Sequence, residues 1–280
     1  MARTIEQIKR DIAALEQACQ VLATEITNAY ASYLTALGQA LKQQAVLATY
    51  HLCTQGYPEA FLKLSFYQRQ NLQQDVRKVL HDAIEQLLML STFDDTETAS
   101  AEIAADPLLN AELSTLEHLL QNRRSRTAIS SNPIALSQWQ QSTEQAIALH
   151  LKMISRDINR LLQQTGILPE KLPFGLIEAA LDTPELPTDS ATAGSPNLLN
   201  LLVEAESAPE SEEASLMTLV AIYLRLGEIE FADVAVRAGR NQIRQLETRL
   251  RSLVREYHKK EREQAIAEAE AAWRASWFDD

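Results

Sequence analysis

Residues Thr4 to Gln55 contain no proline and a single glycine, Gly38, and their apolar side chains recur at helical spacing almost from end to end. The pattern predicts one helix of about 52 residues, roughly 78 Å long at 1.5 Å per residue. A rod of that length cannot bury its own apolar stripe, so the rest of the chain, or another chain, has to cover it. No other stretch constrains the fold as strongly.

The stripe changes period midway. Its first part reads as heptads, with Ile5, Ile12, Cys19, Ile26 and Tyr33 at a and Ile8, Leu15, Leu22 and Ala29 at d, the strict 3.5-residue repeat of a coiled coil. Beyond Ala29 the register slips by one, to Tyr30, Leu34, Leu37, Leu41, Ala45 and Ala48, and the face broadens toward that of a bundle helix. Gly56-Tyr57-Pro58 supplies stop signals, and Ser65 with Gln68 forms a capping-box pattern. A second helix then runs to about Phe93 on Leu72, Val76, Leu80, Ile84 and Leu87. Its roughly 43 Å, folded back antiparallel, reach only to about residue 26. The seam Ile5, Ile8, Ile12, Leu15, Cys19, Leu22 and Ile26 is therefore expected to self-associate in a homo-oligomer or to be covered in cis by the final helix.

Farther along, Asp94 to Asp106 is an acidic connector, and a helix is predicted from Pro107 on Leu109, Leu113, Leu116 and Leu120. Asn132-Pro133 opens a long helix that should end at Gly166, in the position of a C′ glycine. A short apolar helix is predicted from Phe174 to Leu181. Residues 182–213 hold four prolines, eight acids and neither lysine nor arginine, which reads as a flexible acidic linker. Within it, Asn197 to Val203 is an apolar island, expected to be a short docking helix in cis or a motif for a partner's groove. Helix is predicted again from Ser215 on Leu216, Leu219, Val220, Tyr223 and Leu224, and a last long helix from about Gly239 to Trp277 on Ile243, Leu246, Leu250, Leu253 and Tyr257.

The expectation is an all-α, elongated helical-bundle and coiled-coil chain. It divides into a helical hairpin at 1–93, a bundle segment at 94–181, an acidic linker at 182–215 and a C-terminal helical arm at 216–280. Only 7 glycines in 280 residues, with abundant helix formers, agree with that class. A net charge of −12 argues against wholesale binding to nucleic acid or anionic membrane. No segment approaches 18 consecutive apolar residues, so no transmembrane span is expected, although peripheral contact with a membrane is compatible with the sequence. Cys19 and Cys53, on one continuous helix, would lie about 51 Å apart, far beyond disulfide reach, and a reducing, cytoplasmic setting is expected.

Catalytic and cofactor patterns are missing. There is no Walker A sequence, GxGxxG, GxSxG or HExxH, and no histidine stands three residues after a glutamate as a di-iron bundle requires. His81 and Glu85 share a helical face, but two ligands do not make a metal site. No catalytic, cofactor or metal residue is predicted, and the protein is expected not to be an enzyme.

One charge pattern rises above background. Between Arg237 and Arg262 there are nine lysines or arginines against three glutamates. Seven of the nine, Arg237, Arg240, Arg244, Arg251, Arg255, Lys259 and Arg262, fall in a stripe centred roughly 145° from the apolar seam. The same helix ends in Trp273 and Trp277, four residues apart on one face, with Phe278 beside them. The expected function is that of a non-enzymatic interaction or scaffold protein that self-associates or docks through its helical seams. The alternative is an adaptor or regulator that binds an acidic macromolecule (protein, nucleic acid or anionic lipid) through the basic stripe; the aromatic tip is expected either to fold back on the chain's own bundle or to anchor in a partner's groove.

Overall fold

A computed structural model describes residues 5–90, 130–169, 196–205 and 215–277. The chain is bundle-like and all-α in class, with six helices and one β-hairpin among the described residues. The first helix, α1 (Ile5–His51), is continuous for 47 residues and ends in a π-helical turn (Leu52–Gly56), where the Tyr57 amide donates to the Leu52 carbonyl at 2.9 Å. Helices α2 (Pro58–Lys63) and α3 (Phe66–Met89) follow, then α4 (Pro133–Gln164), strands β1 (Leu198–Ala205) and β2 (Ser215–Ile222), α5 (Leu226–Ala232) and α6 (Val234–Ser276).

Local signals set most of these boundaries. The capping box is formed: the Gln68 amide donates to Ser65 Oγ, and the Ser65 amide to Gln68 Oε1 at 2.8 Å. Asn132 Oδ1 accepts from the amides of Ile134 and Ala135 ahead of Pro133. Gly166 adopts a φ of +75° just past α4, the left-handed stop that glycine supplies without steric cost. Among the described residues, no helix is long and apolar enough to cross a membrane. The connector at 94–106, the helices expected after Pro107 and Phe174, most of the acidic linker, and Phe278 lie outside the described residues.

The chain groups into two compact units. One comprises residues 1–35, 88–149 and 237–280; the other comprises 36–87 and 150–236. In the first, α6 runs antiparallel to the front of α1. The order of contacts shows it: Lys9 with Glu268, Asp11 with Lys260, Glu16 with Tyr257, Glu25 with Arg249, and Tyr33 with Arg240. Ile8, Cys19, Leu22 and Ile26 are buried, while Ile5, Ile12 and Leu15 are half-buried. The seam left over by the length arithmetic is thus packed within the chain.

In the second unit, α3 packs so closely on α1 that a Cβ at Gly38 would stand 2.9 Å from a methyl of Ile84. The same unit holds the hairpin, and here the structure departs from the sequence reading. Residues 198–205 and 215–222 are strands, not the docking helix and resumed helix that their apolar spacing suggested. They pair antiparallel, Leu198 opposite Ile222 through Ala205 opposite Ser215. Side chains from two helical segments supply the hydrogen bonds that a third strand would have made. Tyr57 Oη accepts from the Val220 amide at 3.0 Å and donates to its carbonyl at 3.2 Å. Asn159 does the same for Ile222, accepting and donating at 2.9 Å, and Ser155 Oγ accepts from Leu224 N at 2.9 Å. Positions 220, 222 and 224 present backbone polar groups on one edge, and that edge is satisfied. Because it is satisfied, these residues can stay buried as strand.

Asn197 opens the hairpin at a φ of +61°, a left-handed conformation that asparagine tolerates better than most residues. Its amide donates to Glu228, its Oδ1 accepts from Arg225 N, and its Nδ2 donates to Gln44. One buried side chain therefore ties α1, the hairpin and the start of α5 together.

Candidate interaction surface on the last helix

Asp233 caps α6: its Oδ1 accepts from the amides of Ala235 at 2.8 Å and Val236 at 3.0 Å. The seam Ile243, Leu246, Leu250 and Tyr257 is buried, and Leu253 is half-buried. On the opposite side Arg237, Arg244, Arg251, Arg255, Lys259 and Arg262 are all exposed. Arg251 pairs with Glu247 one turn earlier, and Arg255 Nε donates to the Arg251 carbonyl at 3.2 Å. The stripe is therefore a real face of the helix, with one member removed.

The member removed is Arg240, which is 8% exposed. Its Nη1 donates to Glu144 Oε1 at 2.6 Å and its Nη2 to Tyr33 Oη at 2.6 Å; the guanidinium carbon lies 4.5 Å from the centre of the Tyr33 ring. Tyr30 Oη donates to the same Glu144 oxygen at 2.5 Å, and the Tyr30 ring meets Trp139 edge-on at 5.5 Å. Burial, then the neighbouring Glu144 carboxylate, pushes the Tyr30 hydroxyl far above its ordinary pKa, so it stays a proton donor. α6 can come this near because position 239 is glycine, and a Cβ there would stand 3.2 Å from that of Tyr33. This buried cation clamps α1, α4 and α6 together and is not offered to a partner.

Sequence reasoning missed that clamp. In the sequence Tyr30 and Tyr33 fall in the apolar seam and Arg240 in the stripe. One signal was available: at 100° per residue Arg240 lies about 60° from Ile243, nearer the seam than any other stripe cation.

At the far end of α6, Trp273 and Trp277 are 66% and 64% exposed, with ring centres 5.5 Å apart. Ile266 is exposed on the same helix. The two indoles meet at an interplanar angle of 37° and leave most of their area in solvent.

The other candidates offer little chemistry. His81 and Glu85 form an exposed pair at 3.5 Å. Both thiols are buried and pushed up to about 11, Cys53 by burial alone and Cys19 by burial and then Glu16, so each is protonated and inert near neutrality. Among the described residues no cluster of three histidine, cysteine, aspartate or glutamate side chains could hold a metal ion. No protein-family model, curated protein or solved structure matches the chain.

Proposed function

We propose that this is a non-enzymatic interaction protein that presents the outer face of α6 to an acidic protein partner. The observation that carries the reading is the row of six exposed cations, Arg237 to Arg262, on a helix whose opposite face is packed against α1. A face already held in place loses little entropy on docking, and its like charges gain from an acidic partner what they lose in mutual repulsion. Nucleic acid is disfavoured because no aromatic side chains interleave with the exposed cations. The Trp273–Trp277 pair supplies the apolar anchor that a charged rim needs. Homotypic pairing through the front seam of α1 is a weaker reading, since α6 occupies that seam. The two buried, unbonded thiols support a reducing, cytoplasmic setting.

The test is capture from native lysate by the intact chain, by a triple variant Arg244→Glu, Arg251→Glu, Arg255→Glu, and by a chain ending at Ala272. Partners should be lost from both variants and should elute as ionic strength rises toward about 0.5 M, where the Debye length falls below roughly 5 Å. Retention of the same partners by both variants would sink the reading. Because the tip is exposed, the truncation should leave the melting temperature within about 2 °C of the full chain, so lost partners could not be ascribed to unfolding.

A further inference from the structure

The hairpin has two edges, and the chain treats them differently. Alternation along an antiparallel pair fixes which backbone groups point outward. Val220 and Ile222 spend theirs on Tyr57 and Asn159, so their partners across the ladder, Asn200 and Leu198, point theirs out of the opposite edge, and Leu202 and Glu204 continue the row. Among the described residues nothing bonds to this outer edge of β1, and the sheet has only two strands. Free edges of this kind are usually blunted by lysine, proline or a bulge. Here residues 197–203, Asn-Leu-Leu-Asn-Leu-Leu-Val, contain neither proline nor any charge, and pairing runs unbroken from 198 to 205. Among the described residues, one edge is closed by dedicated side chains and the other meets no hydrogen-bond partner.

Charge identifies the occupant. Between residues 172 and 224 the chain has no lysine or arginine; the uncharged stretch 197–203 is preceded in the sequence by Asp182, Glu185 and Asp189, and β1 itself ends with Glu204, ahead of Glu206, Glu210, Glu212 and Glu213. A second copy of β1 would bring acidic flank against acidic flank in either direction of pairing, between molecules that each carry −12. An extended peptide with an apolar, β-branched centre and basic flanks meets the same edge with opposite charge. We propose that the outer edge of β1 is a β-augmentation site for such a basic-flanked extended segment of a partner protein. The site does not use α6, so charge reversal on that helix leaves it intact, and either interaction can fail without the other.

The probe is the fluorescein-labelled peptide KKVTVTVKK, followed by fluorescence anisotropy on the full chain. Two comparisons isolate the edge. The first is Asn200→Pro, which removes an outward amide that the hairpin does not use and leaves the ladder to β2 in place. The second is the same peptide N-methylated at its valine and threonine amides, which keeps every charge but cannot pair on either edge. We expect saturable binding that weakens by about tenfold or more with either change, as loss of a few backbone hydrogen bonds requires. The melting temperature of Asn200→Pro should stay near that of the parent chain; if it does not, the N-methylated peptide on the unaltered protein decides. Equal binding of the methylated and parent peptides, or no binding of the parent, overturns the proposal. So does a dimer in sedimentation that Asn200→Pro dissolves, since the edge would then belong to a second copy.

Discussion

A guanidinium withdrawn from water must find acceptors for its donors, and Arg240 finds a carboxylate, a phenol oxygen and an aromatic face. Removing it deprives Glu144 and the Tyr33 hydroxyl of their shared cation, so Arg240→Ala should destabilise the fold by about 3 kcal/mol, the low end for breaking a buried pair, because Glu144 keeps the Tyr30 hydrogen bond and some access to water. Urea denaturation measures it, and a loss under about 0.5 kcal/mol would mean that the clamp fixes geometry without contributing stability. Gly38 poses a contest of signs. Alanine would add about 1 kcal/mol of helix propensity, but its Cβ would meet a γ-methyl of Ile84, and overpacking typically costs about 1–3 kcal/mol. Gly38→Ala should therefore be destabilising, which a thermal melt resolves. His150 is buried, and burial lowers its pKa to about 4 from an ordinary 6.5. The unfolded chain takes up that proton first, so stability is full above about pH 6.5 and falls as pH drops toward 4, by something on the order of 3 kcal/mol. Unfolding midpoints at pH 7.5 and 5 should differ less in His150→Leu than in the parent chain; an equal difference in both would assign the acid sensitivity elsewhere.

At the scale of elements, the hairpin persists because helices donate side chains to its edge. Asn159→Ala deletes both bonds to Ile222 and leaves a buried N–H and C=O without partners, which should cost about 2–4 kcal/mol and raise amide exchange through 219–224. Exchange unchanged by the substitution would mean that the packing of Leu219 and Ala221 holds the strand without Asn159. This element is also where the sequence is least legible. Leu-Leu-Asn-Leu-Leu-Val follows neither a period of 2 nor one of 3.6, and Leu216, Leu219, Val220 and Tyr223 mimic helical spacing. What decides the conformation is a set of bonds to residues 57, 155 and 159, more than 60 positions away, and local propensity carries no trace of them. By contrast the capping box at Ser65, the Asn132–Pro133 start and the Gly166 stop are local devices, and each sits where the sequence placed it. The basic face of α6 was legible because period alone fixes it. The Arg240 clamp was not, because its partners come from two other helices.

At the scale of the whole molecule, α6 packs antiparallel along the front of α1. The two thiols make this testable: Cys19, on the seam that faces α6, is fully buried, and Cys53, in the other unit, is nearly so. A Cys53→Ser chain under mild oxidation should stay monomeric by light scattering, and Cys19 should react with a maleimide only as fast as the chain opens. A disulfide-linked dimer would show that α6 leaves the seam in solution. The antiparallel closure also has a consequence for biosynthesis. Tyr33 and its partner Arg240 are 207 residues apart. At about 5–20 residues per second the ribosome needs roughly 10–40 s to make the intervening chain. For that interval Ile8, Cys19, Leu22 and Ile26 lack the packing that α6 supplies, and neighbouring nascent chains on one message would carry the same stripe. Until α6 leaves the tunnel, that side of the seam is open to a holdase-type chaperone or to transient pairing between nascent chains.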